Sequence, residues 1–179
     1  MPVRRASPRA RLHRHPRATD VARVLIVGCG CRGRSLGAAL RASGHAVRGT
    51  TRSSARVDDL ETAGIEGVVA DPDRLGTLVP ALAGVTVVCW LMGSAEDSPD
   101  VHGPRLRSLV EHLVDTPVRG LVYEAAGSAD AALLAEGAST VREASQTWHI
   151  PVEVVDADPA AHEAWLEAMT AAVERLLTA

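Results

Sequence analysis

The chain predicts an α/β fold: a single doubly wound parallel sheet of about six strands in the order 3-2-1-4-5-6, with helices on both faces. Three observations predict it. Strand-like and helix-like runs alternate from residue 23 onward. The strand-like runs are mostly unbroken apolar stretches such as Val85-Thr-Val-Val-Cys-Trp-Leu91, the pattern of parallel strands covered on both faces. The first run, Val24-Leu-Ile-Val27, passes directly into Gly28-Cys-Gly30-Cys-Arg-Gly33 and then into a helix-patterned stretch ending at Gly44.

Taken in order, the strands are expected over 23–27, 45–50, 67–70, 85–91, 118–124 and 151–156. Between them, Leu75, Leu78, Val79 and Leu82 fall at helical spacing, as do Leu106, Leu109, Val110 and Leu113, and then Trp165, Met169, Val173 and Leu176, each stripe suited to packing on the sheet. Asp71-Pro72, Gly103-Pro104 and Asp158-Pro159 each place a capping residue before a proline suited to the first helical position. In such a sheet the ligand crevice lies at the C-terminal ends of strands 1 and 4.

The glycine turn indicates what that crevice holds. Gly28 permits the tight turn, Gly30 lets backbone approach a pyrophosphate, and Gly33 lets the helix start close to the strand. The helix dipole and the free amides near Cys31 and Arg32 would then face the anion. A dinucleotide is the expected ligand. A glycine-rich turn serving only close packing is the alternative.

The end of the second strand bears on which dinucleotide. NAD sites usually carry Asp or Glu there, whereas this chain reads Gly49-Thr-Thr-Arg-Ser-Ser54. Thr51, Arg52 and Ser53 offer a guanidinium fork and hydroxyls suited to a 2′-phosphate, so NADP is expected over NAD, with NAD possible. Arg52 could also be a plain solvated loop residue. Asp71, at the end of strand 3, is placed to bond the adenine amino group or to cap a helix. Leu91, Gly93, Ala125 and Ala126 lie where backbone would pass the nicotinamide ribose.

Composition narrows the chemistry. With 179 residues, 46% of them hydrophobic, the chain can bury one substantial core. There is no lysine among its 19 basic residues, which excludes a Walker lysine, a Schiff-base lysine and a Tyr-x-x-x-Lys pair. One Tyr, three Trp and no Phe argue against stacking on single-stranded nucleic acid. Residues 1–20 carry six arginines against the single acid Asp20, and three prolines oppose a helix. They are read as a disordered basic arm, with a nucleic-acid or membrane-surface arm or a targeting peptide as alternatives. Residues 21–179 form the nucleotide-binding domain. No apolar run approaches the ~20 residues of a membrane span. Three cysteines give no disulfide framework and point to the cytoplasm.

Val24-Leu-Ile-Val-Gly-x-Gly-x-x-Gly, the Thr-Thr-Arg ending of strand 2 and Val69-Ala-Asp71 resemble atypical short-chain dehydrogenase/reductase domains, in outline over residues 22–158. The likeness is to the NAD(P)H-binding, NmrA-like and epimerase-like members with their Rossmann fold. The resemblance implies a nicotinamide dinucleotide, and in that family a serine ends strand 5 and a Tyr-x-x-x-Lys pair lies on the next helix. Here the serine position falls in Glu124-Ala-Ala126, and the tyrosine and lysine positions are Ala138 and Arg142. Standard catalysis of that type is therefore not expected, and Tyr123, on strand 5 itself, is read as a packed side chain.

Other acid–base candidates remain. His102 and Glu96 belong to the irregular segment Gly93–His102 after strand 4, and Glu124 and Ser128 follow strand 5 at the crevice. A lone loop histidine is commonly just exposed. Cys29, Cys31 and Cys89 could form a redox-sensing thiol cluster, but Cys-x-Cys in a phosphate loop lacks zinc spacing, and no metal is expected. Homo-oligomers are expected through the helices after strands 4 and 5, which carry Leu106, Leu109, Leu113, Val141 and Trp148. Two functions compete: an NADP(H)-binding, oxidoreductase-like protein with non-standard or absent catalysis, and a non-enzymatic redox sensor or interaction module. A site for another nucleotide or a nucleotide-sugar is a third. Because the arm has no apolar periodicity, deleting residues 1–20 should leave the melting temperature almost unchanged. Loss of cooperative unfolding would contradict that.

Overall fold

The computed structural model describes residues 21–179, so the reading of residues 1–20 as a disordered arm lies outside the described residues. Six parallel strands form one sheet in the order β3-β2-β1-β4-β5-β6, as the alternation of runs predicts. They are β1 (Arg23–Val27), β2 (Ala46–Thr51), β3 (Glu66–Val69), β4 (Val87–Trp90), β5 (Gly120–Glu124) and β6 (Val152–Val155). The register sets Val27 beside Trp90 and Trp90 beside Tyr123. The ends of β1, β4 and β5 are thereby level at the crevice.

Neighbouring strand residues face opposite sides, so unbroken apolar runs feed two cores. Val24, Ile26, Cys89 and Val122 pack beneath α1 (Cys31–Ala42), α2 (Val57–Thr62) and α6 (His162–Thr178). Leu25, Val88, Trp90, Leu121 and Tyr123 pack against the other face. That face is covered by the short α3 (Leu75–Leu78), by α4 (Pro104–Leu113) and by α5 (Ala131–Trp148).

The helix starts divide. Gly103-Pro104 opens α4 as predicted, with Gly103 at the N-cap. The other two prolines do not open helices: α3 begins at Leu75 and α6 at His162. In both cases the preceding aspartate forms a local turn instead, Asp71 Oδ1 accepting from Asp73 N–H and Asp158 Oδ1 from Ala160 N–H. Val79, expected in a buried stripe, is 37% exposed, because the chain turns into a 3-10 segment at that residue.

The apolar residues expected to serve either sheet or partner are used by the sheet. Leu106, Leu109, Leu113 and Val141 are buried within the chain, and of that set only Trp148 is exposed. Tyr123 is fully buried, with its ring against Gly137 of α5. A Cβ at Gly137 would sit within 2.5 Å of the phenol carbon bearing the hydroxyl and 3.0 Å from Cε2. Gly137→Ala gains about 0.5–1 kcal/mol of helix propensity but overpacks this ring, at about 1–3 kcal/mol. Its expected net effect is a lower melting temperature by thermal unfolding; a rise would contradict the packing of Tyr123.

Candidate functional site

The three glycines differ in what surrounds them. Gly28 has φ +80°, and a Cβ there would meet the Leu91 carbonyl oxygen at 2.7 Å. A Cβ added at Gly30 would meet no atom within 4 Å, so that side of the residue faces open space. At Gly33 a Cβ would lie 3.1 Å from Cys29 Sγ and 3.2 Å from Ile26 Cγ2, which is close helix–strand packing. Thr50 fixes the turn from β2: its hydroxyl accepts from Gly28 N–H at 3.1 Å and its carbonyl from Cys29 N–H at 3.0 Å.

Helix α1 has Gly30 at its N-cap, no side-chain cap and no acid in its first turn. The amides of Cys31, Arg32 and Gly33 precede the first amide that donates within the helix, Arg34 N–H to the Gly30 carbonyl at 2.9 Å, and the helix dipole adds partial positive charge there. These residues fit a bound diphosphate.

A cleft of about 410 Å³ opens against this turn, a size ordinary for small-molecule sites. Of the predicted cofactor residues, Gly28, Gly30, Thr51, Arg52 and Leu91 line it. Arg56 joins Arg52 on the basic wall, and the segment from Ser94 to Ser98, with Glu96 and Asp97, forms the facing wall. Thr50 and Arg56 escaped sequence reasoning. An arginine four residues after Arg52 was the available signal for the latter, and nothing local marked Thr50 as the anchor of the turn.

The remaining predicted residues lie elsewhere. Ser53 is exposed and gives its N–H to Thr51 Oγ1. Asp71 is committed to its own turn and does not line the cleft. Gly93, Ala125 and Ala126 sit at the ends of β4 and β5 in a closed cluster, where a Cβ on Gly93 would strike the Ala126 backbone.

At the centre of that cluster is Glu124, fully buried at the end of β5. Its Oε2 accepts from Gly93 N–H at 2.8 Å and its Oε1 from the Trp165 indole N–H at 3.0 Å. The Arg32 guanidinium reaches across from α1 to lie 3.4 Å from Oε1, 3.4 Å from Ser94 Oγ and 5.7 Å from the Trp165 ring centre. Burial pushes the Glu124 carboxyl up, and Arg32, Gly93 and Trp165 pull it back. The sequence marks Trp165 only as a core residue of the last helix; its indole bond crosses 41 positions of sequence, beyond any local pattern.

His102 is not the exposed loop residue expected. It closes the 3-10 turn Pro99–His102, is fully buried, and places Nδ1 2.8 Å from the Tyr123 hydroxyl. That hydroxyl also reaches the Leu134 carbonyl at 3.4 Å. The structure therefore pairs His102 with Tyr123 under α5 and keeps both out of the cleft. Ser128 is exposed beyond β5 and does not line the cleft.

Neither buried thiol suits a redox cluster: burial pushes Cys29 up to about 12 and raises Cys89 as well, while Cys31 is exposed. Among the described residues no group of three His, Cys, Asp or Glu side chains could hold a metal ion. Nor, among them, is any helix long and apolar enough to cross a membrane.

Burial lowers the pKa of His102 from 6.5. The folded protein thus binds fewer protons than the unfolded chain once pH falls below that value, and stability drops there. The slope from one such group is at most about 1.4 kcal/mol per pH unit. His102→Gln should flatten the decline in urea-unfolding free energy between pH 7.5 and 5 relative to the parent; an unchanged slope would contradict it.

A Glu124→Ala variant strands two buried N–H donors at about 1–3 kcal/mol each. It should destabilise markedly more than Glu124→Gln, which keeps an acceptor. Equal denaturation midpoints for the two would contradict the role assigned to the carboxyl oxygens.

Comparisons with known proteins agree with this fold. A protein of Bacillus halodurans assigned as an NAD-dependent epimerase/dehydratase superposes with TM-score 0.64 at 17% identity, over 77% of this chain and 71% of its own. Vestitone reductase from alfalfa gives 0.59 at 15% identity, over 75% and 56%. The TrkA-N domain of the Escherichia coli inner membrane protein ybaL gives 0.54 at 18%, over 83% and 97%. At these identities the likeness is one of fold, and the chain spans little more than half the length of vestitone reductase. No curated protein matches the sequence significantly. The family model for NAD(P)H-binding proteins matches residues 28–147, and the chain belongs to the NAD(P)H-binding family.

Proposed function

We propose that this chain binds NADP(H) in preference to NAD(H), as an oxidoreductase-like domain that works without a tyrosine–lysine pair. The observation that carries the preference is that Thr51, Arg52 and Arg56 line the cleft while the end of β2, Gly49-Thr-Thr-Arg-Ser-Ser54, carries no carboxylate. Two exposed guanidiniums beside a phosphate-binding turn suit a 2′-phosphate, since each can bond it in a charge-assisted, forked geometry. The amides of Cys31 to Gly33 hold the diphosphate, and Leu91 and Ala70 supply apolar floor.

A bound nicotinamide cofactor supplies a hydride donor or acceptor. Of the protein's own groups, Glu124 and His102 are the candidates for moving a proton, with Ser128 as a hydroxyl soon after Glu124 in sequence. Glu124 would act only after Arg32 leaves it. Ala138 and Arg142 stand at the family's tyrosine and lysine positions, and Tyr123 is committed to His102. The burial of both acid–base candidates favours a second reading, a non-enzymatic module that senses NADP(H) and reports to a partner.

Calorimetric titration tests the preference. NADPH should bind more tightly than NADH, and Arg52→Ala should reduce the ratio of affinities by about ten- to a hundredfold, the worth of one charge-assisted bond. Arg56→Ala should act in the same direction. Equal affinities in the parent, or equal weakening of both cofactors by Arg52→Ala, would remove the 2′-phosphate assignment.

A further inference from the structure

A doubly wound sheet has two mononucleotide-binding halves that meet at its switch point. In this chain the two halves are unlike. The cleft is open beside Gly28, Gly30, Thr51 and Arg52 and runs on against the segment after β4, from Leu91 to Ser98. Between the ends of β4 and β5, at Gly93, Glu124 and Ala126, protein atoms close it.

That closure has three layers. The backbone after β4 lies directly on the backbone after β5: Gly93 touches Gly127, and its carbonyl accepts from Ala129 N–H at 2.9 Å. Beneath this contact Glu124 Oε2 holds Gly93 N–H at 2.8 Å, and Oε1 holds the Trp165 indole at 3.0 Å. Above it Arg32 spans from α1 to Glu124 and Ser94, its guanidinium near the Trp165 ring.

Opening this half would separate a buried carboxylate from its cation and leave polar groups unpaired, a change costly at this degree of burial. The arginines that favour a phosphate stand on the open side only. We infer that the site grips a nucleotide by its adenosine 2′-phosphate and diphosphate and makes no net use of the nicotinamide ring. Its ligand class is then 2′-phosphorylated adenine nucleotides at large, oxidised, reduced or lacking nicotinamide altogether. The inference rests on the NADP(H) reading above and goes beyond it by separating the two ends of the ligand.

The test is calorimetric titration of the full chain with NADPH, NADP and 2′-phospho-ADP-ribose, which lacks the nicotinamide. The three should bind within about fivefold of one another, well under the tenfold that about 1.4 kcal/mol of ring contacts would give. NADPH binding more than fivefold tighter than 2′-phospho-ADP-ribose would overturn the inference while leaving the NADP(H) reading intact. Failure of all three to bind would overturn that reading, and this inference with it. The Arg32→Met variant provides a second arm, since it keeps the side-chain stem over Trp165 but removes the cation from Glu124. If the closed half excludes the ring, any change in the ratio of NADPH to 2′-phospho-ADP-ribose affinity should favour NADPH. A shift of about fivefold or more toward 2′-phospho-ADP-ribose would contradict that.

Discussion

The carboxylate of Glu124 is the constraint on which the functional end of this sheet depends. A buried carboxylate is tolerated only when hydrogen-bonded and paired, and its partners come from three other parts of the chain. Gly93 belongs to the turn after β4, Trp165 to α6 and Arg32 to the first turn of α1. Satisfying one side chain therefore sets where the last helix docks, how tightly the β4 and β5 ends close, and which way Arg32 points. The Arg32 guanidinium is drawn across to Glu124, and the arginines that line the cleft are Arg52 and Arg56.

The cleft is correspondingly polarised. One wall carries two arginines beside an amide-rich turn, and the facing wall carries Glu96 and Asp97. In the proposed reading, this charge arrangement favours phosphates beside Arg52 and Arg56 and away from Glu96 and Asp97. Thr50 keeps this arrangement rigid by tying the Gly28 turn to the end of β2 through two hydrogen bonds. The Gly28 turn and the end of β2 that leads to Arg52 are thus joined directly.

Most of the fold was legible in the sequence because its signals are local. Continuous apolar runs with two cores to fill can only be covered parallel strands, and the three glycines differ in what a Cβ would meet in the order their spacing implies. Where local signals compete, the reading failed. Asp71-Pro72 and Asp158-Pro159 look like helix starts, yet the aspartate oxygen bonds an amide two residues on and makes a separate turn. The lining of the candidate cleft was legible as far as Gly28, Gly30, Thr51, Arg52 and Leu91. Its other half was not, because the partners that close it are joined only by tertiary contacts. A glutamate after a strand looks like a crevice acid until an indole from the last helix and a guanidinium from the first are seen on it. His102 illustrates the same limit, since only packing under α5 turns a loop histidine into the partner of Tyr123.

The central claim, a nucleotide held at the Gly28–Gly33 turn with the Glu124 cluster undisturbed, can be read in one experiment. Backbone and indole amide resonances would be followed by NMR as NADPH is added. The account predicts large shifts at Gly28, Gly30, Cys31, Arg52 and Arg56, with the Trp165 indole resonance holding its position. A Trp165 indole that moves on binding while the Gly28–Gly33 amides stay in place would contradict it.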